Sequence, residues 1–304
     1  MRFEKLDLNL LVALVSLVET RSVSDTAAAL HLSQPTISAA LRRLRSYFDD
    51  ELLVQTGREM VPTPLGLEIA EGAAEVLNLT RFKVIQSVRF DPSISQRSFK
   101  IVASDYAFEL LLAKAFSKIN QMAKHLRFEV LPIGPQTVRQ FEKGNIDLLI
   151  TIDCYGIDNF PKMELFQDHD VLICWDQSDF ANGVSPKEFD SAEFAIAAFG
   201  EERRRSVSEM HFEKLNIKRN IPIIVSSFSA LPSAVIGTNR LAVVHKMQAE
   251  LFKTLYPISI HPLPIPSADI RQIAQWHRLR QKDSGLMWLL NILKEEAKLL
   301  REQL

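Results

Sequence analysis

Two periodicities share this chain, and they change over near residue 95. Up to residue 62 the pattern reads as short helices followed by a hairpin; from Ser98 onward strand and helix alternate. A change of texture of this kind implies more than one folding unit. The 304 residues leave room for two or three domains of roughly 100–200 residues each. With 47% hydrophobic and 24% charged residues, the chain is neither disordered nor fibrous.

The first region carries three helix starts. Asp7 can cap a helix with Leu10, Leu11, Leu14, Leu17 and Val18 at helical spacing. Ser24 is expected to cap the second, turning Ala27, Ala28 and Leu30 inward. His31-Leu32 is a tight turn, and Ser33-Gln34-Pro35 is a strong helix start, because proline lacks an N–H where none is needed. The third helix runs to Phe48, with Ile37, Leu41, Leu44 and Phe48 inward. Leu52–Gln55 and Met60-Val61 form a hairpin around Thr56-Gly57-Arg58.

Residues 22–48 thus make a helix-turn-helix candidate, whose second helix can enter a major groove. Its outer face offers Ser33, Gln34, Thr36, Ser38, Ala39, Arg42, Arg43 and Arg45, with Pro35 shaping the first turn. Small hydroxyls and an amide at the N-terminal end suit base edges, and arginines further along suit phosphates. The hairpin would be a wing with Arg58 at its tip. Residues 1–62 hold seven basic and eight acidic side chains, and the whole chain has net charge -1, so nucleic-acid contact must come from a local patch. An ordinary helical domain with a solvated charged face remains the alternative.

Thr63-Pro64 repeats the cap-plus-proline start. A long helix is expected from there to Val88, with Ile69, Ala73, Val76, Leu77, Thr80, Val84 and Val88 as its seam. Such a length suits pairing with a second subunit. Residues 89–95 read as a hinge. Beyond it, strands at 99–103, 127–131 and 146–152 alternate with helices at 106–122 and 137–143. A second set follows, with strands at 165–175, 194–198, 221–226 and 241–244, helices at 206–215 and 229–237, a late strand at 270–276 and a closing helix at 284–301. The expected architecture is a parallel α/β sheet in each of two lobes.

No phosphate-binding glycine loop, zinc-binding histidine pair, nucleophile elbow or Cys-x-x-Cys occurs, so neither an enzyme nor a metal site is expected. Cys154 and Cys174 form no disulfide framework and fit a reducing compartment. The apolar run Leu10–Val15 is too short for an export signal or for the roughly 20 residues of a membrane helix. A cytoplasmic, non-membrane location is expected. A solute-binding protein without transcriptional activity is the competing reading of the α/β region.

The stretch Ala27-Ala28-Ala29-Leu30-His31-Leu32-Ser33-Gln34-Pro35-Thr36-Ile37-Ser38 resembles the signature of LysR-type transcriptional regulators. Thr63-Pro64-Leu65-Gly66 resembles the start of that family's linker helix. Asp7-Leu8-Asn9-Leu10-Leu11, Arg43-Leu44-Arg45 and Phe90-Asp91-Pro92 resemble the subgroup containing NodD and NahR, which also carries Arg45 where many members have glutamate. The resemblance spans the full chain. It implies a winged helix-turn-helix (residues 1–62), a dimerising linker helix (63–89) and an effector-binding domain like a periplasmic binding protein (90–304). Lobe I would take 96–160 and 268–304, and lobe II 161–267. It also implies homodimers or homotetramers on an interrupted inverted repeat of double-stranded DNA, contact with RNA polymerase, and activation prompted by a small, aromatic effector. No other cofactor is implied.

Ligands of open α/β sheets sit beyond the carboxyl ends of strands. That rule selects Ser104 and Asp105, then Ile133, then Thr151 and Asp153, and in lobe II Phe199, Gly200 and Phe228. The resemblance adds His169 and again Phe228. Arg205, in the run Glu201–Arg205, could pair with a carboxylate or phenolate. Helix capping explains Ser104 and Asp105 equally well, and core packing explains Phe228.

Overall fold

Asp7 opens α1 (Leu8–Thr20) by accepting the Asn9 amide at 3.0 Å, and the helix buries Leu10, Leu11, Ala13, Leu14 and Leu17. The cap of α2 (Val23–Ala29) is Ser22, not Ser24. The Thr20 hydroxyl lies within hydrogen-bond reach of the Ser16 and Ser22 carbonyls (2.9 and 3.1 Å) and of the Thr26 hydroxyl (2.7 Å), tying the end of α1 to the start of α2. That phase buries Thr26 and Ala27 and leaves Ala28 exposed, contrary to the sequence expectation. His31 then takes a left-handed φ of 53°, and the Leu32 amide returns to the Ala27 carbonyl at 2.9 Å. α3 (Gln34–Phe48) starts at Ser33, whose hydroxyl accepts the Thr36 amide, and buries Ile37, Ala40, Leu41 and Leu44. β1 (Leu53–Thr56) and β2 (Glu59–Pro62) form the antiparallel hairpin.

α4 (Pro64–Thr80) is anchored at its first turn. The Thr63 hydroxyl donates to Asp50 at 2.7 Å and accepts the Gly66 amide at 2.9 Å. A Cβ on Gly66 would run into the Leu52 carbonyl oxygen, so glycine is required there. α4 packs along α1, burying Ala70 and Ala73, with Ile69 and Leu77 half-buried beside the same core; Val76 faces solvent. The structure, a computed structural model, describes residues 6–57, 59–80, 90–200 and 203–302. Arg58, Val84 and Val88 lie outside them. The chain divides into two compact units, Met1–Val88 and Arg89–Leu304.

The second unit contains two sheets. Lobe I has β3 (Ser98–Val102), β4 (Arg127–Leu131), β5 (Leu148–Ile152), β6 (Lys162–Asp168) and β13 (Ile270–Gln275) in the order β4-β3-β5-β13-β6. Lobe II has β7 (Asp170–Trp175), β8 (Glu193–Phe199), β10 (Asn220–Val225), β11 (Arg240–His245) and β12 (Ile258–Pro262) in the order β10-β8-β11-β7-β12, with β9 (Arg204–Arg205) beside β8. Each sheet is mixed, not all-parallel. β13 runs antiparallel to β5 and β6, and β7 runs antiparallel to β11 and β12. The chain crosses from one sheet to the other twice, and returning strands enter in the opposite sense.

Residues 165–175, read from sequence as one strand, are parts of β6 and β7. β6 therefore belongs to the lobe I sheet, and the first crossing falls at His169. The apolar run on either side hides the break; the polar triplet Asp168-His169-Asp170 is its mark. The helix expected at 106–122 is divided into α5 (Asp105–Ala107), a π-helical turn (Phe108–Leu112) and α6 (Ala113–Met122). The wider turn buries Leu110, Leu111 and Leu112 in succession, more than one face of a regular helix can. The remaining helices are α7 (Pro135–Glu142), α8 (Pro186–Ser191), α9 (Val207–Lys214), α10 (Leu231–Val235), α11 (Lys246–Leu255) and α12 (Ser284–Glu302). The sequence reading missed α8, α11 and β12; α8 and β12 are short, at six and five residues.

A buried ion network locks lobe I. Arg97 donates to both oxygens of Asp283 (2.5 and 2.7 Å) and to Asp147 (3.0 Å), while Arg280 also pairs with Asp147. Burial alone would raise the Asp283 carboxyl; its bonds with Arg97 outweigh that and hold it below the usual carboxylate range. The folded state thus favours the ionised form. Its stabilisation is complete above the unfolded carboxylate range near pH 4 and is lost as pH falls through the lower folded value. Asp283→Asn should cost about 3–5 kcal/mol in urea unfolding at neutral pH, by leaving Arg97 underpaired. It should also flatten the loss of stability below about pH 4.

Candidate functional site

On α3 the buried row and the outer row are cleanly separated. Ser33, Gln34, Pro35, Thr36, Ser38, Arg42 and Arg43 are all exposed. Ser33 and Thr36 are occupied with each other: their hydroxyls lie 2.8 Å apart, and Ser33 also caps the helix. Gln34 and Ser38 make no side-chain hydrogen bond, and Arg42 no ion pair, among the described residues. Arg43 lies 3.5 Å from Asp7 at an exposed site. Arg45, expected on the outer face, turns back instead. Its guanidinium donates to the Glu51 and Leu53 carbonyls at 2.8 and 2.6 Å, joining α3 to the hairpin. The same guanidinium lies 3.1 Å from the Glu51 carboxylate, so its charge is met as well as its donors.

In the second unit, the start of α5 meets lobe II. Ser104 accepts the Ala107 amide, as a cap does. Asp105 accepts both the amide and the hydroxyl of Ser229 from lobe II, at 2.8 and 2.7 Å. Beside this clasp Phe199 and Phe228 pack at 5.0 Å, and Phe228 lies 5.2 Å from the His245 ring. Tyr106 stacks edge-on against His245 at 4.6 Å and donates to Asp168 at 2.8 Å. Burial, reinforced by Asp168, raises the Tyr106 hydroxyl well above its ordinary value, so it stays protonated and donates. Asp168 further accepts the His169 and Met247 amides. A second interlobe contact joins the Tyr155 hydroxyl to the Met210 sulfur at 3.3 Å.

The structure brings Ser104, Asp105, Phe199 and Phe228 together and disperses the other predicted effector residues. Asp153 pairs with Lys162 at 2.6 Å, and exposed Arg205 pairs with Glu213. Ile133 packs with Phe141 and Ile146 beneath lobe I, and Thr151 is buried in β5. Gly200 holds a left-handed φ of 68° at the end of β8. His169 is exposed on the first crossing and lines a different, open groove. Tyr106, Asp168, Ser229 and His245 were missed by sequence reading; the Asp-His-Asp triplet inside an apolar run was the available signal. Burial lifts the thiols of Cys154 and Cys174 above their usual value, which disfavours the reactive thiolate. Among the described residues no cluster of His, Cys, Asp and Glu is placed to hold a metal, and no helix is long and apolar enough to cross a membrane.

Residues 8–67 match the bacterial regulatory helix-turn-helix protein family of lysR type, and residues 94–298 match the LysR substrate binding domain. The chain belongs to the LysR family. It is a LysR-type, ligand-responsive, DNA-binding transcriptional regulator and not an enzyme. The reading as a solute-binding protein without transcriptional activity gives way to the helix-turn-helix match at 8–67. Nodulation protein D 3 of Rhizobium leguminosarum bv. phaseoli is 33% identical over 298 residues, 98% of this chain and 99% of that protein. The resemblance to the NodD subgroup therefore holds over the full length.

Two solved structures share the fold. A probable transcriptional regulator from Pseudomonas aeruginosa, PA0477, has 22% identity and a TM-score of 0.67 over 96% of this chain and 97% of that one. Full-length CbnR complexed with its target DNA has 12% identity and a TM-score of 0.59 over 96% and 100%.

The two arginines one turn apart on α3 should separate cleanly. Arg45→Ala should lower the stability of the first unit by about 1.5–3 kcal/mol through two lost charge-assisted bonds. Arg42→Ala should change it by less than about 0.5 kcal/mol. Urea unfolding of the two variants measures the difference.

Proposed function

We propose that this regulator reads DNA with the N-terminal half of α3 and answers to a small aromatic effector held between its lobes. One observation carries the first part: Gln34, Ser38 and Arg42 stand exposed and unengaged among the described residues, on a helix whose opposite side buries Ile37, Ala40, Leu41 and Leu44. Gln34 and Ser38 are suited to base edges, and Arg42 and Arg43 to phosphates. Ser33, Pro35 and Thr36 keep the helix start tight and close to the groove, and Arg58, between β1 and β2 in sequence, is assigned to the flanking phosphates. The DNA would carry an interrupted inverted repeat, matched by a homodimer or homotetramer paired along the linker helices.

The second part is supported by the grouping of Phe199 and Phe228 beside the Asp105–Ser229 clasp. Aromatic rings favour an aromatic guest, and the clasp supplies hydrogen-bond donors from Ser229 and an acceptor carboxylate from Asp105. An effector entering there competes with the clasp. It shifts the lobes only to the extent that it binds one arrangement better than the other. The change alters how the DNA-bound subunits meet RNA polymerase in the cytoplasm, and activation is the expected outcome.

Gel shift and footprinting of the full-length protein on DNA upstream of its own gene test the reading. A protected interrupted repeat, with a footprint changed by an aromatic effector, is expected; absence of any sequence-specific protection, also in selection from random DNA, overturns it. Gln34→Ala should cost about 1–3 kcal/mol at the cognate site and less on random DNA. Arg42→Ala should weaken binding to both and reduce the salt slope by about one.

A further inference from the structure

His245 ends β11 at the carboxyl rim of the lobe II sheet, a strand end that the sequence rule passed over. Its ring lies at the seam between the lobes, edge-on to Tyr106 of lobe I at 4.6 Å and 5.2 Å from Phe228 of lobe II. His245 Nδ1 meets Asp170 Oδ1 at 2.8 Å, and the Ser208 hydroxyl donates to the same oxygen at 2.9 Å. The side chains of His245 and Asp170 are each 1% exposed. The other ring nitrogen, Nε2, is buried without a hydrogen-bond partner among the described residues, and so is Asp170 Oδ2. The pair is therefore short of donors. A buried polar atom left unmet is costly, and one at the seam of two lobes points to a guest that meets it.

Resting on the cleft reading above, we propose that His245 selects the effector by a hydroxyl group, with Asp170 and Ser208 as positioning residues. A carboxylate oxygen only accepts, so Nδ1 carries the proton and Nε2 of the neutral ring is an acceptor. A phenolic O–H donates to it while the aromatic body lies against Phe199 and Phe228. Parting of the lobes at the Asp105–Ser229 clasp uncovers Nε2, because Tyr106 belongs to lobe I and His245 to lobe II.

The surrounding charges exclude an aromatic acid from the same place. A carboxylate brings no donor, and it would join Asp105, Asp168 and Asp170, which already border the seam. Lys246 follows His245 in the chain, but its side chain shares a groove wall with Asp170. A site built around an acceptor rejects the analogue that lacks the donor, since the buried nitrogen then stays unpaired.

Isothermal titration of the full-length protein at neutral pH with 4-hydroxyacetophenone, 4-methoxyacetophenone and 4-acetylbenzoate tests the assignment. The three differ only in the group offered to His245. Saturable binding of the hydroxy compound is expected, about tenfold tighter than the other two or more. Its near-ultraviolet band should move on binding toward the longer wavelength of the phenolate, as donation to a basic nitrogen requires. His245→Asn keeps a donor for Asp170 and removes Nε2, so it should erase both the preference and the band shift. Phe199→Ala should weaken the hydroxy and methoxy compounds alike, because it removes wall and not acceptor. The proposal is overturned if the hydroxy and methoxy compounds bind equally, if the benzoate binds most tightly, or if none binds saturably in the millimolar range. It also falls if the preference survives in His245→Asn that circular dichroism shows to be folded. Should that variant not fold, the probe series and the band shift in the unaltered protein still decide. Equal binding of the probes that Phe199→Ala weakens removes the role of His245 and leaves the cleft reading standing. A footprint that no aromatic compound changes, with no probe bound, removes both.

Discussion

One carboxylate, Asp168, holds the effector unit together where the chain leaves the first sheet for the second. It accepts the Tyr106 hydroxyl from lobe I, the His169 amide from the crossing itself and the Met247 amide from lobe II. A buried carboxylate is tolerable only when its lone pairs are filled, and here three separate segments fill them. The Asp105–Ser229 clasp and the Phe199–Phe228 pair join the same two lobes, with Tyr106 next to Asp105 in the chain. A ligand that alters the interlobe angle must work against this set of bonds.

The DNA-binding unit depends on a similar economy of polar contacts. Asp50 accepts the Leu52 amide and the Thr63 hydroxyl, and Thr63 in turn accepts the Gly66 amide. Arg45 joins the end of α3 to the hairpin through two carbonyls. Together these contacts fix the wing and the start of α4 against the recognition helix without using the outer row of α3. Bracing and the exposed row thereby fall to different side chains of one helix: Arg45 braces the domain, while Arg42, three residues earlier, is free of ion pairs among the described residues, as the DNA contact proposed for it requires.

Local rules read well wherever a signal is confined to a few residues. Ser33-Gln34-Pro35 fixed the start of α3, and Thr63-Pro64 the start of α4. They failed where two local solutions compete or where a boundary is set from afar. Ser22 and Ser24 both satisfy the capping rule, and the structure uses Ser22, next to the Thr20–Thr26 contact. The 165–175 segment satisfies strand periodicity throughout, yet it serves two sheets. Arg45 has the spacing of an outward residue, but unmet carbonyls eight residues or fewer along the chain draw it inward. For the candidate effector set, the strand-end rule marks a rim and says nothing about which rim residues are already paired, as Asp153 and Arg205 are.

By itself the sequence determined the two textures of the chain, the helix-turn-helix with its capped recognition helix, and membership of a family of regulators. These follow from periodicity and from contacts within a few residues, which a linear pattern records directly. Only the tertiary structure decided that both sheets are mixed, that the lobes exchange strands at His169, and that Asp105 meets Ser229 across 124 residues of chain. Only it set Tyr106 and Phe228 against the His245 ring. Such pairings arise from how returning strands and buried charges are satisfied in space, and no short-range pattern encodes a partner that far away.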